Sequence, residues 1–370
     1  MTGAAVAVPG DTERTELLAV ATAAVGRHFP LAAAKARGDG DPLDRAAWAA
    51  LCRELEPVGL AVPEAAGGSG LGFGYLAVVA EAAGAAVAPA PLTMTAGLVA
   101  PLLAEAAPEL LPGILAGSTV ACHIGGAAVE PAAGRLVASG GVAAVPWGAD
   151  ADYALLTSRH GDTVRVCVLT PDTPGVRVAR CRTVDRSRPA ARWRFADAPV
   201  RPCGTLPAAV LRLIETRARL LTACEAIGSA RTALDRALRH VAVRAQFGRP
   251  VGSFQAVQHR AADLYGELES AAAAVEWATG LAAGFDGPRG AERFDHPDGR
   301  AFERACLVAL VRATDAAERV ARESLHLHGG IGFTWEHDAH LFLKRALADG
   351  QCHGGRAALL LELAASLPDA

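Results

Sequence analysis

The most informative stretch of this chain is Arg244-Ala-Gln246-Phe247-Gly248-Arg-Pro250. A second stretch, about seventy residues further on, contains a pair of glycines: His326-Leu-His328-Gly329-Gly330-Ile-Gly332-Phe333. An arginine at the end of a long helical pattern offers a planar, bidentate donor for a phosphate group. Paired glycines lack side chains, so an anion can approach their backbone closely. Together the two stretches predict a site for a phosphate-containing cofactor.

Each stretch also has a simpler explanation when it is taken alone. Arg244 would then be a helix C-terminal cation that interacts favourably with the helix dipole. Gly329-Gly330 would be an ordinary helix stop. Because both occur in one chain and in this order, we favour the cofactor site.

Composition limits the class of protein. Apolar residues make up 51% of the 370 residues and charged residues 20%, which argues against disorder and predicts two or three packed subdomains. The net charge of −3 offers no basic surface for nucleic acid. We therefore expect no nucleic-acid partner.

Cysteine usage and hydropathy indicate a cytoplasmic protein. The eight cysteines stand singly, with no C-x-x-C motif and no histidine at zinc spacing, so we expect reduced thiols and no metal. The N-terminus lacks the basic region of a signal peptide. An alanine-rich run from Tyr75 to Ala104 is interrupted by Glu81, Pro89 and Pro91, so we expect no membrane span.

The sequence pattern changes twice and predicts three parts: helical residues 1–117, a small antiparallel β-domain at 118–206, and a helical bundle at 207–370. In the first, Trp48, Leu51, Leu55 and Val58 form a helical stripe that ends before Gly59. The second contains short β-branched runs, which predict strands at 135–139, 153–157, 163–169 and 192–195.

The third part predicts four long helices. Its first helix carries the arginine motif at its end, with Arg231 and Asp235 spaced as a surface ion pair. Further helices are predicted at 256–283, 301–328 and 338–366. The stretch from Gly284 to Gly299, with Pro288 and Pro297, is predicted to be a flexible connection.

This order of domains and motifs resembles the acyl-CoA dehydrogenases, over nearly the whole chain. The resemblance implies an α+β fold with a helical domain, a β-barrel-like middle domain and a C-terminal four-helix bundle. It also implies FAD, an acyl-CoA or acyl-carrier thioester as substrate, a tetramer, and an electron-transfer flavoprotein or another electron acceptor. The implied cofactor-binding residues are Arg244, Gln246, Phe247, Gln255, Gly329 and Gly330, with His326 where the family has glutamine.

The resemblance also implies a glutamate base, which removes the α-proton while hydride passes to FAD. Its two family positions fall here on Gly354 and Ala218, and neither residue takes a proton. Arg219, beside the second position, does match the family. His353 is the best nearby substitute because a neutral imidazole accepts a proton near pH 7; its simpler interpretation is a polar residue at a helix start. Other candidates are Asp349, Glu215 and Glu225.

Further departures concern the flavin ring. Where the family has a hydroxyl residue followed by glutamate, this chain reads Val120-Ala-Cys122-His123-Ile124-Gly125-Gly126. Arg356 and Ala358 replace the family's Thr-x-Gln. In this family each FAD spans two subunits, with its ring in one and its pyrophosphate on the other. By this resemblance, the chain retains the residues that bind the pyrophosphate of the neighbouring subunit's FAD, and it lacks those that contact the flavin ring.

We therefore expect an acyl-CoA dehydrogenase-type oxidoreductase of lipid or steroid catabolism. The leading hypothesis is a base-lacking subunit that shares FAD with a catalytic paralogue, similar to the non-catalytic partner of actinobacterial heterotetrameric enzymes. A second hypothesis is a self-sufficient homotetramer that uses His353 or another group. A third is a flavin-free, non-redox or acyl-binding member of the fold.

Overall fold

The protein is described by a computed structural model that covers residues 8–132, 134–287 and 290–367. The first part is helical, as expected. It contains α1 (Asp11–His28), α2 (Leu31–Ala36), α3 (Arg45–Leu55), α4 (Phe73–Ala85), α5 (Leu92–Met94), a π-helical turn (Thr95–Val99), α6 (Ala100–Ala106) and α7 (Leu111–Leu115). The extreme N-terminus, on which the signal-peptide expectation rests, lies outside the described residues.

Local chemistry sets the ends of α3. The Asp44 carboxylate accepts a hydrogen bond of 3.0 Å from the backbone N–H of Ala47, which caps the first turn. Glu56 then adopts a left-handed conformation with φ 48°, so the helix ends at Leu55. Trp48 and Leu51 are buried and Leu55 is half-buried, as the predicted apolar stripe requires, whereas Val58 is buried beyond the end of the helix.

One helical stretch in the described part of the chain, Asp11–Ala36, has the length and hydropathy of a membrane span. It is not one straight helix, because α1 ends at His28 and α2 begins at Leu31, after Pro30. Ala21, Ala24 and Val25 of this stretch pack into the protein core.

The middle domain contains two four-stranded sheets. Its strands are β1 (Ala121–Gly125), β2 (Ala128–Ala132), β3 (Arg135–Pro146), β4 (Tyr153–His160), β5 (Thr163–Leu169), β6 (Val176–Arg180), β7 (Ala190–Pro199) and β8 (Arg201–Pro207). The sheets have the orders β1-β4-β5-β8 and β2-β3-β7-β6. The expectation of a purely antiparallel domain was wrong in one place, because β1 pairs with β4 in parallel.

Alternation along the strands explains why the first sheet is buried on both faces. Ile124, Leu156 and Cys167 point into a core shared with the second sheet. Leu155 and Val166, one position away from the latter two, point to the core that the helices share. The first sheet is therefore packed between the second sheet and the helical parts.

The C-terminal part begins with α8 (Ala208–Val243) and a short hairpin of β9 (Ala245–Gln246) and β10 (Arg249–Pro250). It continues with α9 (Gln255–Ala282), α10 (Gly290–Phe294), α11 (Pro297–His328), α12 (Ala339–Asp349) and α13 (Gly355–Ser366). The division at 117/118 and 206/207 remains our proposed domain boundary.

Three predicted features of this part were wrong. The last predicted helix is two helices, because His353 has a φ of 56° and Gly354 a φ of 92°. The predicted flexible connection contains α10, although Pro288 lies outside the described residues. Arg231 lies near Glu81 and Glu269 instead of Asp235, which pairs with Arg239.

Two glycines allow α4 and α8 to cross closely. A Cβ atom added to Gly84 would lie 1.9 Å from the carbonyl oxygen of Glu225. One added to Gly228 would lie 1.9 Å from the carbonyl oxygen of Glu81. The backbones of the two helices therefore touch where the N-terminal domain meets the bundle.

We predict that Gly228→Ala destabilises the protein by about 1–3 kcal/mol, the usual cost of overpacking, despite the better helix propensity of alanine. Chemical denaturation would measure this loss. Gly266→Ala is the matched control, since no atom lies within 4 Å of its added Cβ in α9. That variant is expected to be neutral or stabilised by up to about 1 kcal/mol. Equal stability of the two variants would contradict the close crossing.

Candidate functional site

The β9–β10 hairpin places the predicted arginine and aromatic residue on the surface. Phe247 and Gly248 form its two-residue turn with φ values of 54° and 80°, the positive pair that a tight hairpin turn requires. Phe247 is 91% exposed. A bulky residue with positive φ in solvent is unusual; the Phe247 ring meets Phe254 edge-on, with the ring centres 6.3 Å apart.

Arg244 lies where α8 ends and the hairpin begins. Its backbone N–H donates to the carbonyl of His240 at 2.9 Å, and its own carbonyl accepts from Val251 at 2.8 Å. These two bonds fix the backbone. The guanidinium is exposed, and it makes no hydrogen bond or ion pair with any residue that the structure describes.

The N-terminus of α9 faces the same region. Gln255 is the first residue of this helix, and the preceding Phe254 supplies no side-chain cap. The guanidinium of Arg249 lies 4.0 Å from the centre of the Phe254 ring, which positions the start of the helix. An uncapped helix N-terminus offers backbone N–H donors and a positive dipole end to an anion.

The end of α11 carries the glycine pair. Gly329 has a φ of 67° and a ψ of −149°, a combination that only glycine adopts readily. A Cβ at Gly329 or Gly330 would meet no atom within 4 Å, so the space above this backbone is open. The exposed His326 ring packs edge-on against Phe333, with the ring centres 5.6 Å apart.

A histidine contact joins the two motifs. The rings of His240 and His328 lie 4.9 Å apart between centres. Arg244 follows His240 by one helical turn, and Gly329 follows His328 directly. The ends of α8 and α11 therefore lie side by side, and both motifs leave from one end of the bundle.

Every predicted cofactor-binding residue at this end is exposed: Arg244, Gln246, Phe247, Gln255, His326, Gly329 and Gly330. An available guanidinium, an uncapped helix start and an open glycine backbone fit a pyrophosphate. Nothing in the described part of this chain covers them. The arrangement is an open surface that offers hydrogen-bond donors to a phosphate group.

The two positions where the family has its base are unsuited to proton transfer. Ala218 is fully buried in α8. It lies against the π-helical turn, where a Cβ on Gly97 would come within 3.5 Å of it. Gly354 is exposed, and its φ of 92° strains any other side chain.

His353 lies between these two positions. Its Nε2 is 3.0 Å from the hydroxyl of Thr222, which in turn donates to the carbonyl of Ala218 at 3.1 Å. Because Thr222 uses its only proton on that carbonyl, Nε2 carries a hydrogen and Nδ1 is the free acceptor. Burial, with Arg219 and Arg188 nearby, lowers the pKa of His353 to about 3. So weak a base is poorly matched to proton abstraction near neutral pH.

Glu215 and Arg219 lie one turn apart on α8. Burial raises the pKa of Glu215, while Arg219 and Arg159 oppose that rise. Arg219 donates to both oxygens of Glu362 on α13, at 2.7 and 3.1 Å. The family-matched arginine is therefore held by a carboxylate of this chain.

Glu225 and Asp349 belong to a buried ion cluster. Glu225 accepts from Thr93 at 2.8 Å and also pairs with Arg188. Arg188 Nε lies 2.7 Å from an oxygen of Asp349, although the pair is too poorly aligned for a hydrogen bond. Burial raises the pKa of Asp349. Both carboxyl groups therefore pair with Arg188 inside the protein.

Strand β1 contains a second buried imidazole. His123 Nε2 lies 2.9 Å from the hydroxyl of Thr157 on β4, and burial lowers the pKa of His123 to about 4. Ile124, the next residue, points into the β-domain core. This neutral histidine stands where the resemblance places contacts to the flavin ring.

Sequence reasoning missed three polar partners at these sites: Thr222, Thr157 and Glu362. Thr222 had a usable signal, because it follows Ala218 by one helical turn. The other two are distant in sequence from their partners, so no local pattern marks them.

Comparisons with known proteins agree with this architecture. The family model described as "Acyl-CoA dehydrogenase, N-terminal domain" matches residues 11–117, and "Acyl-CoA dehydrogenase, C-terminal domain" matches residues 214–367. Acyl-CoA dehydrogenase IpdE2 of Mycobacterium tuberculosis is 31% identical over 348 residues, which cover 92% of each chain. Acyl-CoA dehydrogenase FadE34 of the same organism is 34% identical over 84% of this chain, which spans 41% of that relative's length.

Solved structures give the same result. The structure of a variant of the "Tcur3481-Tcur3483 steroid ACAD" has a TM-score of 0.80 and 30% identity, with 96% of this chain and 97% of that chain covered. The ChsE4-ChsE5 complex from Mycobacterium tuberculosis shares the fold, with a TM-score of 0.82 and 23% identity over 100% of this chain and 99% of that chain. In sequence and in fold, this chain therefore belongs to the acyl-CoA dehydrogenase family.

Proposed function

We propose that this chain takes part in the FAD-linked α,β-dehydrogenation of an acyl thioester as a base-lacking subunit. It would share FAD with a catalytic partner of the same fold. The observation that carries this proposal is the contrast between its two half-sites. The half around Arg244 is open and has free donors, whereas the two positions of the family's base are Ala218 and Gly354, whose side chains cannot accept a proton.

In this assignment FAD, when bound, accepts the hydride that leaves the β-carbon of the substrate. Arg244 would bind the pyrophosphate, and the start of α9 at Gln255 would add backbone donors. The glycine backbone at Gly329 would let the cofactor lie close to the end of α11. Phe247 would pack against the partner chain or the cofactor and exclude water.

The partner chain would supply the base and bind the flavin ring. Support comes from similar structures whose names join two chains, "Tcur3481-Tcur3483" and "ChsE4-ChsE5". The word "steroid" in the name of the first supports a bulky substrate in lipid or steroid catabolism. An electron-transfer flavoprotein is the acceptor that we propose, and the cytoplasm the location.

The self-sufficient alternative has one observation in its favour. Burial raises the pKa of Glu215, which moves this carboxyl toward the range of a general base. His353 is the weaker candidate, because its pKa of about 3 reflects a strongly disfavoured imidazolium. An assembled enzyme without visible flavin absorbance would instead support the flavin-free alternative.

We predict that Arg244→Ala reduces the FAD affinity of the assembled enzyme tenfold or more. A charge-assisted bond to phosphate contributes on the order of 1.5 to 3 kcal/mol. Flavin absorbance per protein after gel filtration measures this loss. Arg239→Ala is the matched control, because Arg239 is an exposed arginine near the end of α8 that pairs with Asp235. Equal flavin content in both variants, with assembly intact, would show that Arg244 acts only as a cation at the helix C-terminus and does not bind FAD.

We further predict that Gly354→Glu alone gives no dehydrogenation of any acyl-CoA. The new carboxylate would sit on a backbone with φ 92°, beside an unsuitable ring pocket. Anaerobic flavin bleaching by acyl-CoA is the assay. If acyl-CoA bleaches the flavin of the purified wild-type chain, and His353→Ala slows this reduction roughly 10²-fold, the self-sufficient alternative would be established.

We also predict a stable oligomer, which would bury exposed apolar side chains. Of Leu341, Leu347, Leu359, Leu360 and Leu363, the structure buries Leu341 and Leu359 within the chain. The apolar surface lies elsewhere, at Phe247, Tyr265, Trp277, Phe333 and Leu361. Sedimentation should show a tetramer with the partner. A lasting monomer at micromolar concentration in the partner's presence would contradict this.

A further inference from the structure

Three arginines lie together on the outer face of the second β-sheet. Side chains alternate along β7, and Trp193 and Phe195 point into the core of the β-domain. Arg192 and Arg194 point the opposite way and are exposed. On the neighbouring strand β6, Arg177 is exposed between two partly buried valines. We call these three arginines the arginine face.

The register of the sheet brings like charges close together. Arg177 pairs directly with Arg194, and Arg192 lies two residues away from Arg194 along β7. Paired residues point to the same face of a sheet, with Cα atoms about 5 Å apart, and residues two apart along a strand are separated by about 7 Å. Like charges that lie directly opposite each other destabilise a sheet. The arginine face therefore costs stability unless an anion neutralises it.

Within the part of the chain that the structure describes, no acid neutralises these arginines. None of the three guanidinium groups forms an ion pair or a hydrogen bond there. Asp197, near the end of β7, accepts a hydrogen bond of 2.8 Å from the hydroxyl of Ser139 on β3. Glu130 is exposed on β2, which is the edge strand on the opposite side of the sheet from β6. The positive charge of the arginine face is therefore available to another molecule.

Protection of the sheet edge explains only one of the three arginines. Charged residues on an edge strand prevent unwanted pairing with other strands, and Arg177 lies on the edge strand β6. Arg192 and Arg194 lie on β7, which is paired on one side with β3 and on the other with β6. The arginine face is also remote from the proposed flavin site, because the first sheet lies between the second sheet and the helical parts.

We propose that the arginine face is a docking surface for an acidic, extended segment of a partner protein. Planar guanidinium groups bind carboxylates through two parallel hydrogen bonds. In an extended segment, carboxylates two residues apart have the same spacing, about 7 Å, as Arg192 and Arg194. Nucleic acid fits less well, because three arginines offer few phosphate contacts and the chain has a net charge of −3. The docking surface is independent of the proposed dehydrogenase role.

A labelled peptide of alternating glutamate and threonine tests the proposal by fluorescence anisotropy on the assembled complex. The control peptide has glutamine in place of glutamate. We expect the acidic peptide to bind roughly tenfold more tightly than the control at low ionic strength, and to weaken as salt is added. Equal binding of the two peptides would overturn the proposal. So would tighter binding of oligothymidylate or of phosphatidylserine vesicles, or binding by the isolated chain that is lost on assembly.

Variants locate the bound peptide. The double variant Arg192→Gln and Arg194→Gln should weaken peptide binding roughly tenfold. The matched control, Arg53→Gln with Arg300→Gln, removes two exposed arginines from α3 and α11 and should bind normally. Arg177→Gln should weaken binding without lowering the melting temperature, because it removes one member of a like-charge pair. Equal binding by the two double variants, or a lower melting temperature in Arg177→Gln, would contradict the proposal; the flavin content of each complex separately reports on the proposed function.

Discussion

The guanidinium of Arg345 ties the three parts of the chain together. From α12 it reaches Asp185 at 2.8 Å and the Ser187 hydroxyl at 2.6 Å, both in the loop before β7, and the carbonyl of Ala88 after α4 at 3.2 Å. Arg345 is buried, so each bond forms away from competing water. Loss of this one side chain would leave the buried carboxylate of Asp185 without its ion-pair partner, which is far costlier than loss of a surface pair.

The surrounding charges explain how the chain keeps acidic side chains buried at its centre. Burial disfavours ionisation of Asp185, yet Arg345 and Ser187 hold its pKa below the usual value. Glu225 is committed to Arg188 and to Thr93. Asp185 therefore stays ionised as a structural anion. Proton abstraction needs a carboxylate that faces the substrate, and in the proposed function the partner chain supplies it.

Much of the architecture was predictable because it depends on local patterns. The stripe around Trp48 and Leu51 and the alternating strands follow from spacing alone. The break at His353 could not be predicted, since positive φ at a histidine depends on the packing of that turn. Neither could the His353–Thr222 or His123–Thr157 pairs, which join residues distant in sequence. The position of Arg244 was predictable from its motif, whereas its lack of a partner among the described residues required coordinates.

In the proposed function the flavin belongs to the interface between two chains, because the surface around Arg244 is open and the family's base positions are Ala218 and Gly354. The most direct test is an experimental structure of the assembled complex, which would locate the FAD. The account predicts pyrophosphate density within hydrogen-bonding distance of the Arg244 guanidinium, with the isoalloxazine ring against the partner chain. Ring density against His123 and His353 of this chain would contradict it, because both half-sites would then act together in one subunit.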